Sequence, residues 1–235
     1  NVIEAHPIES EANIQLGHEM HNEIFVVNED NSGQIGPLGL LAFGLTTMLA
    51  SLCDCGAFDF CSVVLAMAFI YGGVCQFVTG ILEWIKGDGF TGVAFSSFGS
   101  FWVVFTFIHA IPVFEWTTGP DENALGCFML IWTIFDLILF ICTLKKSVCD
   151  MLVFGILFLH LLLGTIANFK ESEKTKKAAG YVGVICAACA MYTAAAVLIN
   201  ESFKKVVLPL GGGEKLGDPI KNKNEYLKKL LTEDF

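Results

Sequence analysis

Apolar residues run along this chain in long blocks parted by short polar stretches. A helix that crosses the hydrocarbon of a bilayer needs roughly 20 mainly apolar residues. Six blocks approach or meet that length: Pro37–Cys53, Cys61–Leu82, Gly92–Phe114, Ala124–Leu144, Val148–Asn168 and Ala178–Ile199. The pattern predicts an all-α membrane protein, a bundle of six transmembrane helices. Its short connections force neighbouring helices to run antiparallel. The expected organisation is an acidic polar tail at 1–35, a membrane domain at 36–211 and a Lys-rich tail at 212–235.

Composition strengthens this picture. Hydrophobic residues make up 54% of the 235 positions and charged ones only 16%, against roughly a quarter in ordinary soluble domains; mean hydropathy is +0.62. The net charge of −10 comes largely from residues 1–35. It has the wrong sign for nucleic-acid binding and reads as a solvated cytoplasmic tail, with no secretory signal in it. All 14 basic residues are Lys. Without Arg, the chain has no bidentate clamp for a carboxylate. The nine Cys lie mostly inside apolar blocks, where Cys is a small hydrophobe and not part of a disulfide framework.

Short loops set the orientation through their lysines. Lys86 lies between the second and third spans, Lys145 and Lys146 between the fourth and fifth, and Lys204 and Lys205 after the sixth. Loops 1–2 and 3–4 hold only acids, such as Asp54, Asp121 and Glu122. Loop 5–6 departs from the pattern, with Lys170, Lys174, Lys176 and Lys177 partly offset by Glu171 and Glu173. The majority puts both termini in the cytoplasm, and the plasma membrane is the expected site. In the C-terminal tail, Tyr226, Leu227, Leu230 and Leu231 share a helical face beside four lysines; an anionic leaflet would suit it, as would a disordered tail.

Ionisable residues inside spans are functional suspects by default. Asp136 stands mid-way along the fourth span. It is a candidate for proton coupling or the substrate pathway; the competing reading is a carboxyl kept neutral by burial or facing a subunit contact. Glu83, beside Trp84 and Lys86, is a second proton-coupling candidate, or else an interfacial ion pair. His109 and His160 read as hydrogen-bonded structural residues, and Cys186-Ala-Ala-Cys189 as helix packing, so no metal site and no cofactor are expected. Thr46, Thr47, Gln76, Ser96 and Ser97 are neutral polar groups that line a solute path or serve helix packing. No nucleophile–base set or cofactor loop is visible, so an enzyme is not expected.

One set of ordered motifs is more specific. Pro37-Leu38-Gly39-Leu40 is followed by Phe43-Gly44-Leu45-Thr46-Thr47, by Tyr71-Gly72-Gly73 with Gln76, Gly80 and Glu83, and by Ala94-Phe95-Ser96-Ser97-Phe98-Gly99-Ser100-Phe101-Trp102. Thr143-Leu144-Lys145, Asn168, Gly180-Tyr181-Val182-Gly183, Asn200-Glu201 and Val207-Leu208-Pro209-Leu210-Gly211 continue the series. This run resembles the acetate uptake transporter family, which includes bacterial succinate–acetate permeases and fungal ammonia/acetate exporters. The family opens helix one with N-P-x-P-L-G-L; here Gln34-Ile35-Gly36 precedes Pro37, and the leading Asn-Pro is absent.

The resemblance implies six helices per protomer, a homo-hexamer with a pathway in each subunit, and passage of acetate, in some members succinate, with protons or as a channel. It implies a constriction at Phe43, Phe98 and Leu157, where Phe98 replaces a family Tyr and so lacks its hydroxyl. Tyr71 and Asn168 join Thr46, Thr47, Gln76, Ser96 and Ser97 as candidate substrate-binding residues. No Lys lies within any predicted span, so a buried anion has no cationic partner, and a bare carboxylate in low dielectric is expensive. The expected partners are therefore a small carboxylate, protons and the bilayer, by monocarboxylate proton symport or through a channel. Two alternatives stand beside this: a non-transporting sensor or scaffold of the same fold, and an ammonia or neutral-solute channel.

Overall fold

The computed structural model describes residues 33–115 and 118–211; the tail expectations at 1–32 and 212–235 lie outside them. Six helices are long and apolar enough to cross a membrane: α1 Gly36–Asp54, α2 Ser62–Ile85, α3 Gly89–Phe114, α4 Glu122–Thr143, α5 Val148–Phe169 and α6 Glu173–Phe203. They match the six predicted spans, and no strand occurs among the described residues.

Local chemistry explains where the helices start. Pro37 sits in the first turn of α1, where its missing N–H costs nothing. Asp88 caps α3 by accepting from the Thr91 N–H, and Asp121 caps α4 through Ala124. Ser147 and Ser172 cap α5 and α6 through Asp150 and Thr175. Each side-chain oxygen answers an amide that the first turn leaves without a partner.

The cap at Ser172 corrects the expected start of the last span. Lys174, Lys176 and Lys177 are not in a loop but on the first turns of α6, a helix of 31 residues. At 1.5 Å per residue it is about 46 Å long, against a hydrocarbon core of ~30 Å, so its charged first turns stand clear of the apolar layer. The middle of α2, Ala68–Cys75, is π-helical, a local widening frequent at functional sites.

The helices form a ring. α1 packs on α6, α6 on α5 and α5 on α4, while α1 also packs on α2 and α2 on α3. Glycines bring α2 and α3 close: a Cβ at Gly99 would lie 2.5 Å from the Phe77 backbone nitrogen, and one at Gly80 would collide with the backbone nitrogen of Ser96. Between α3 and α4 the ring closes through aromatic side chains and not by close backbone approach. Phe101 meets Phe128 at 5.4 Å and Trp132 at 5.2 Å, and Phe98 meets Phe135 at 5.6 Å. Outward-facing positions are apolar, among them Ile131, Ile134, Ile138 and Ile141 on α4, as lipid or a neighbouring subunit requires.

Candidate functional site

A cavity of about 450 Å³ runs inward from the end of the bundle that carries the α1–α2, α3–α4 and α5–α6 connections. It is lined at helical spacing by Phe43, Thr47 and Ala50 of α1, by Phe98, Trp102 and Phe105 of α3, and by Leu157, His160, Leu161, Gly164 and Asn168 of α5; Leu125, Phe128 and Met129 come from α4. Its rim is charged: Asp54, Glu122, Glu171 and Glu173 face Lys176, whose Nζ lies 3.9 Å from an Asp54 carboxylate oxygen. Just outside the spans, burial and the neighbouring Asp54 push the Cys55 thiol up from its ordinary value.

At the deep end the cavity closes on Phe43, Phe98 and Leu157, each no more than 5% exposed. The Phe43 and Phe98 ring centroids are 6.0 Å apart, and all three side chains belong to one apolar cluster with Ala94, Leu139, Val153, Phe154 and Cys186. Beyond them Phe90 packs on Phe154 at 5.5 Å, with Lys146 Nζ 4.3 Å above the Phe90 ring. The passage is thus open to one end of the bundle and packed shut toward the other.

The candidate polar residues divide into groups. Thr47 and Asn168 line the cavity. Asn168 Nδ2 donates to the Gly164 carbonyl at 2.8 Å, while the buried Thr47 hydroxyl has no partner. Thr46 and Gln76 are buried away from the cavity between α1, α2 and α3, and the Thr46 hydroxyl and both ends of the Gln76 amide lack partners. Thr46 packs over Gly72 together with Trp102. Ser96 faces Gly80, its hydroxyl unpartnered. Tyr71 and Ser97 are half-buried and do not line the cavity.

Glu83 lies at the other end of the bundle. Its carboxylate accepts from the Gly36 N–H, so it closes the first turn of α1. At the same end the Leu38 N–H is bonded to Ile35 O. Asp136 is 0% exposed within the protomer, which removes the expected alternative of a subunit contact, and neither carboxyl oxygen has a hydrogen-bond partner.

His109 and His160 line the cavity wall without meeting as a pair. His109 Nδ1 bonds Phe105 O and His160 Nδ1 bonds Ala179 O. A carbonyl only accepts, so each Nδ1 carries the proton, and Nε2 of a neutral ring is left as an acceptor. Among the described residues no three His, Cys, Asp or Glu side chains group as metal ligands.

Sequence reasoning missed two features. Trp102 lines the cavity one turn from Phe98, and its indole N–H, a donor only, has no acceptor. Ser51 is buried with an unpartnered hydroxyl where Gly183 lets it approach His160. A tryptophan four residues after a constriction residue was the available signal for the first; nothing in the sequence pointed to the second.

The sequence pattern of the GPR1/FUN34/yaaH family matches residues 16–211. The chain belongs to this family. The match begins upstream of Pro37, where the recognisable motifs start. Among relatives, the succinate-acetate/proton symporter SatP of Escherichia coli K12 is 38% identical over 175 residues, covering 74% of this chain and 93% of the symporter. Acetate permease A of Emericella nidulans is 34% identical over 191 residues, covering 74% of this chain and 64% of the permease. The solved structure of the bacterial acetate channel SatP superposes with a TM-score of 0.76 at 37% identity, covering 77% of this chain and all of that one. The GPR1/FUN34/yaaH chain described here is an integral multi-pass membrane protein of the same six-helix fold.

Proposed function

We propose that this chain carries small carboxylates, acetate above all and succinate second, across the membrane, linked to protons and by way of the cavity and the Phe43–Phe98–Leu157 constriction. The observation that carries the reading is the cavity's lining. It narrows onto three apolar side chains, and Lys176, the cation among its lining residues, is at the rim and engaged with Asp54. Below the rim a carboxylate meets neutral donors: the Thr47 hydroxyl, the Trp102 indole and the Asn168 amide. Such a path suits a carboxylic acid that travels with its proton, because an unpaired anion in low dielectric is expensive. The names and identities of the SatP and acetate permease relatives support the substrate class.

The same reading assigns the plasma membrane, both termini to the cytoplasm, and a homo-hexamer with one pathway per subunit. Lys86, Lys145, Lys146, Lys204 and Lys205 share one end of the bundle, which is then the cytoplasmic one, and the cavity opens outward. A role as an enzyme has no support in the cavity's side chains, which include no nucleophile bonded to a base.

Labelled-acetate uptake into proteoliposomes at two external pH values tests the proposal, with succinate, lactate and ammonium as comparisons. Saturable acetate uptake above that of protein-free liposomes, rising as external pH falls, is expected. Ammonium flux without acetate flux would favour the neutral-solute reading, and no flux of any solute would favour a sensor or scaffold.

A further inference from the structure

Asp136 has no counterpart in the machinery described so far. It lies on α4 one position from Phe135, whose ring packs against Phe98 at the constriction. It shares the buried face of α4 with Thr133 and Leu139, three positions away on either side, and Leu139 belongs to the apolar cluster of Phe43, Phe98 and Leu157. Asp136 is fully buried with both oxygens unpartnered. Native proteins rarely keep such a group without a reason, since an apolar side chain would occupy the position without the penalty of unmet hydrogen bonds. Of the titratable groups on the elements around it, His160 bonds Ala179 O, Asp150 accepts from the Ser147 hydroxyl and the Cys186 thiol donates to Val153 O.

We infer that Asp136 is a proton-exchange site just beyond the constriction, which takes one proton from, or returns it to, each carboxylate that passes. The inference rests on the proposed carboxylate transport. The exchange balances without any further species: RCOOH + Asp136–COO⁻ gives RCOO⁻ + Asp136–COOH, and the reverse. Substrate and side chain are both carboxylic acids, so the proton passes between oxygens of the same kind.

The test uses the full chain in liposomes with an internal pH dye, following labelled acetate and proton entry together, alongside infrared difference spectra of the carboxyl C=O band on adding acetate or chloride. Wild type is expected to move one proton per acetate and to show an acetate-dependent carboxyl band. Asp136→Asn should lose that band and lower proton entry per acetate at least about fivefold, on the scale of a catalytic proton-transfer group, while Asp136→Glu restores both. An Asp136→Asn protein with the wild-type proton-to-acetate ratio overturns the inference. If that variant does not fold, the wild-type spectrum decides: no carboxyl change on adding acetate overturns it. Absence of acetate flux in wild type would defeat the proposed function instead, and is a separate outcome.

Discussion

At the scale of single residues, the cavity floor and the polar seam beside it obey different physics. Phe43, Phe98 and Leu157 interact by packing alone, so their trimming acts on the width of the gate. Phe43→Leu removes ring area from one side of a contact whose centroids are 6.0 Å apart. It should cost about 1–2 kcal/mol of stability, within the usual range for point mutants. It should also raise succinate uptake relative to acetate several-fold, as the larger solute gains most from a wider gate. The ratio of the two initial rates in proteoliposomes measures this; an unchanged ratio would move the selective constriction elsewhere. Trp102 supplies the opposite case, a buried N–H with no acceptor beside the cavity. Trp102→Phe keeps most of the ring and deletes the donor. If the indole bonds a passing carboxylate, the Km for acetate should rise several-fold, by the ~1 kcal/mol of an ordinary hydrogen bond, with Vmax little changed. A Km equal to that of wild type would leave the indole as packing.

At the scale of elements, backbone proximity between α2 and α3 makes its own prediction. Gly99→Ala would set a methyl group 2.5 Å from the Phe77 nitrogen and 2.8 Å from its Cα. Two backbones must then part, a cost at or above the ~1–3 kcal/mol of ordinary overpacking. Thermal unfolding in detergent should fall by several degrees, whereas Gly89→Ala, with open space around its Cβ, should leave it unchanged or slightly higher. The six spans themselves were legible because lipid demands an unbroken apolar block, a signal repeated at every position. The beginning of α6 was not, since it depends on the Ser172 cap continuing a helix through Glu173–Lys177, where hydropathy is silent. Nor was the π segment, because Ala68–Cys75 reads as an ordinary apolar run. Phe43, Phe98 and Leu157 came from family likeness and not from periodicity, which treats them like any other apolar residue in the spans. Asp136 was legible as an intruder, but its lack of partners depends on what α5 and α6 place around it. The α3–α4 seam was hidden for the same reason: the rings can be counted in the sequence, but their pairing is set by the fold.

At the scale of the whole molecule, charge placement and apolar packing together define a pH response. The rim sets Asp54, Glu122, Glu171 and Glu173 against Lys176, so at neutral pH its field disfavours an approaching anion and leaves a neutral acid untouched. Beneath it the walls contain no Lys. Carboxylic acids of this kind titrate near pH 4–5, and each unit of acidification above that range raises the neutral fraction about tenfold. Initial acetate uptake should therefore climb steeply from pH 7 through pH 5 and level off only as external pH falls to about 4 and below. Salt separates this from an anion route. Raising ionic strength from 0.01 to 0.1 M shortens the Debye length from about 30 to about 10 Å, which weakens repulsion at the rim and would speed an anion. Uptake of the neutral acid has no charge to screen. A rate that follows external pH and is indifferent to salt is the expected result, measured with internal composition held fixed. A rate that instead rises with salt at pH 7 and is flat in pH would mean that the anion itself crosses the Phe43–Phe98–Leu157 floor, and that this apolar closure opens wide enough to hydrate it.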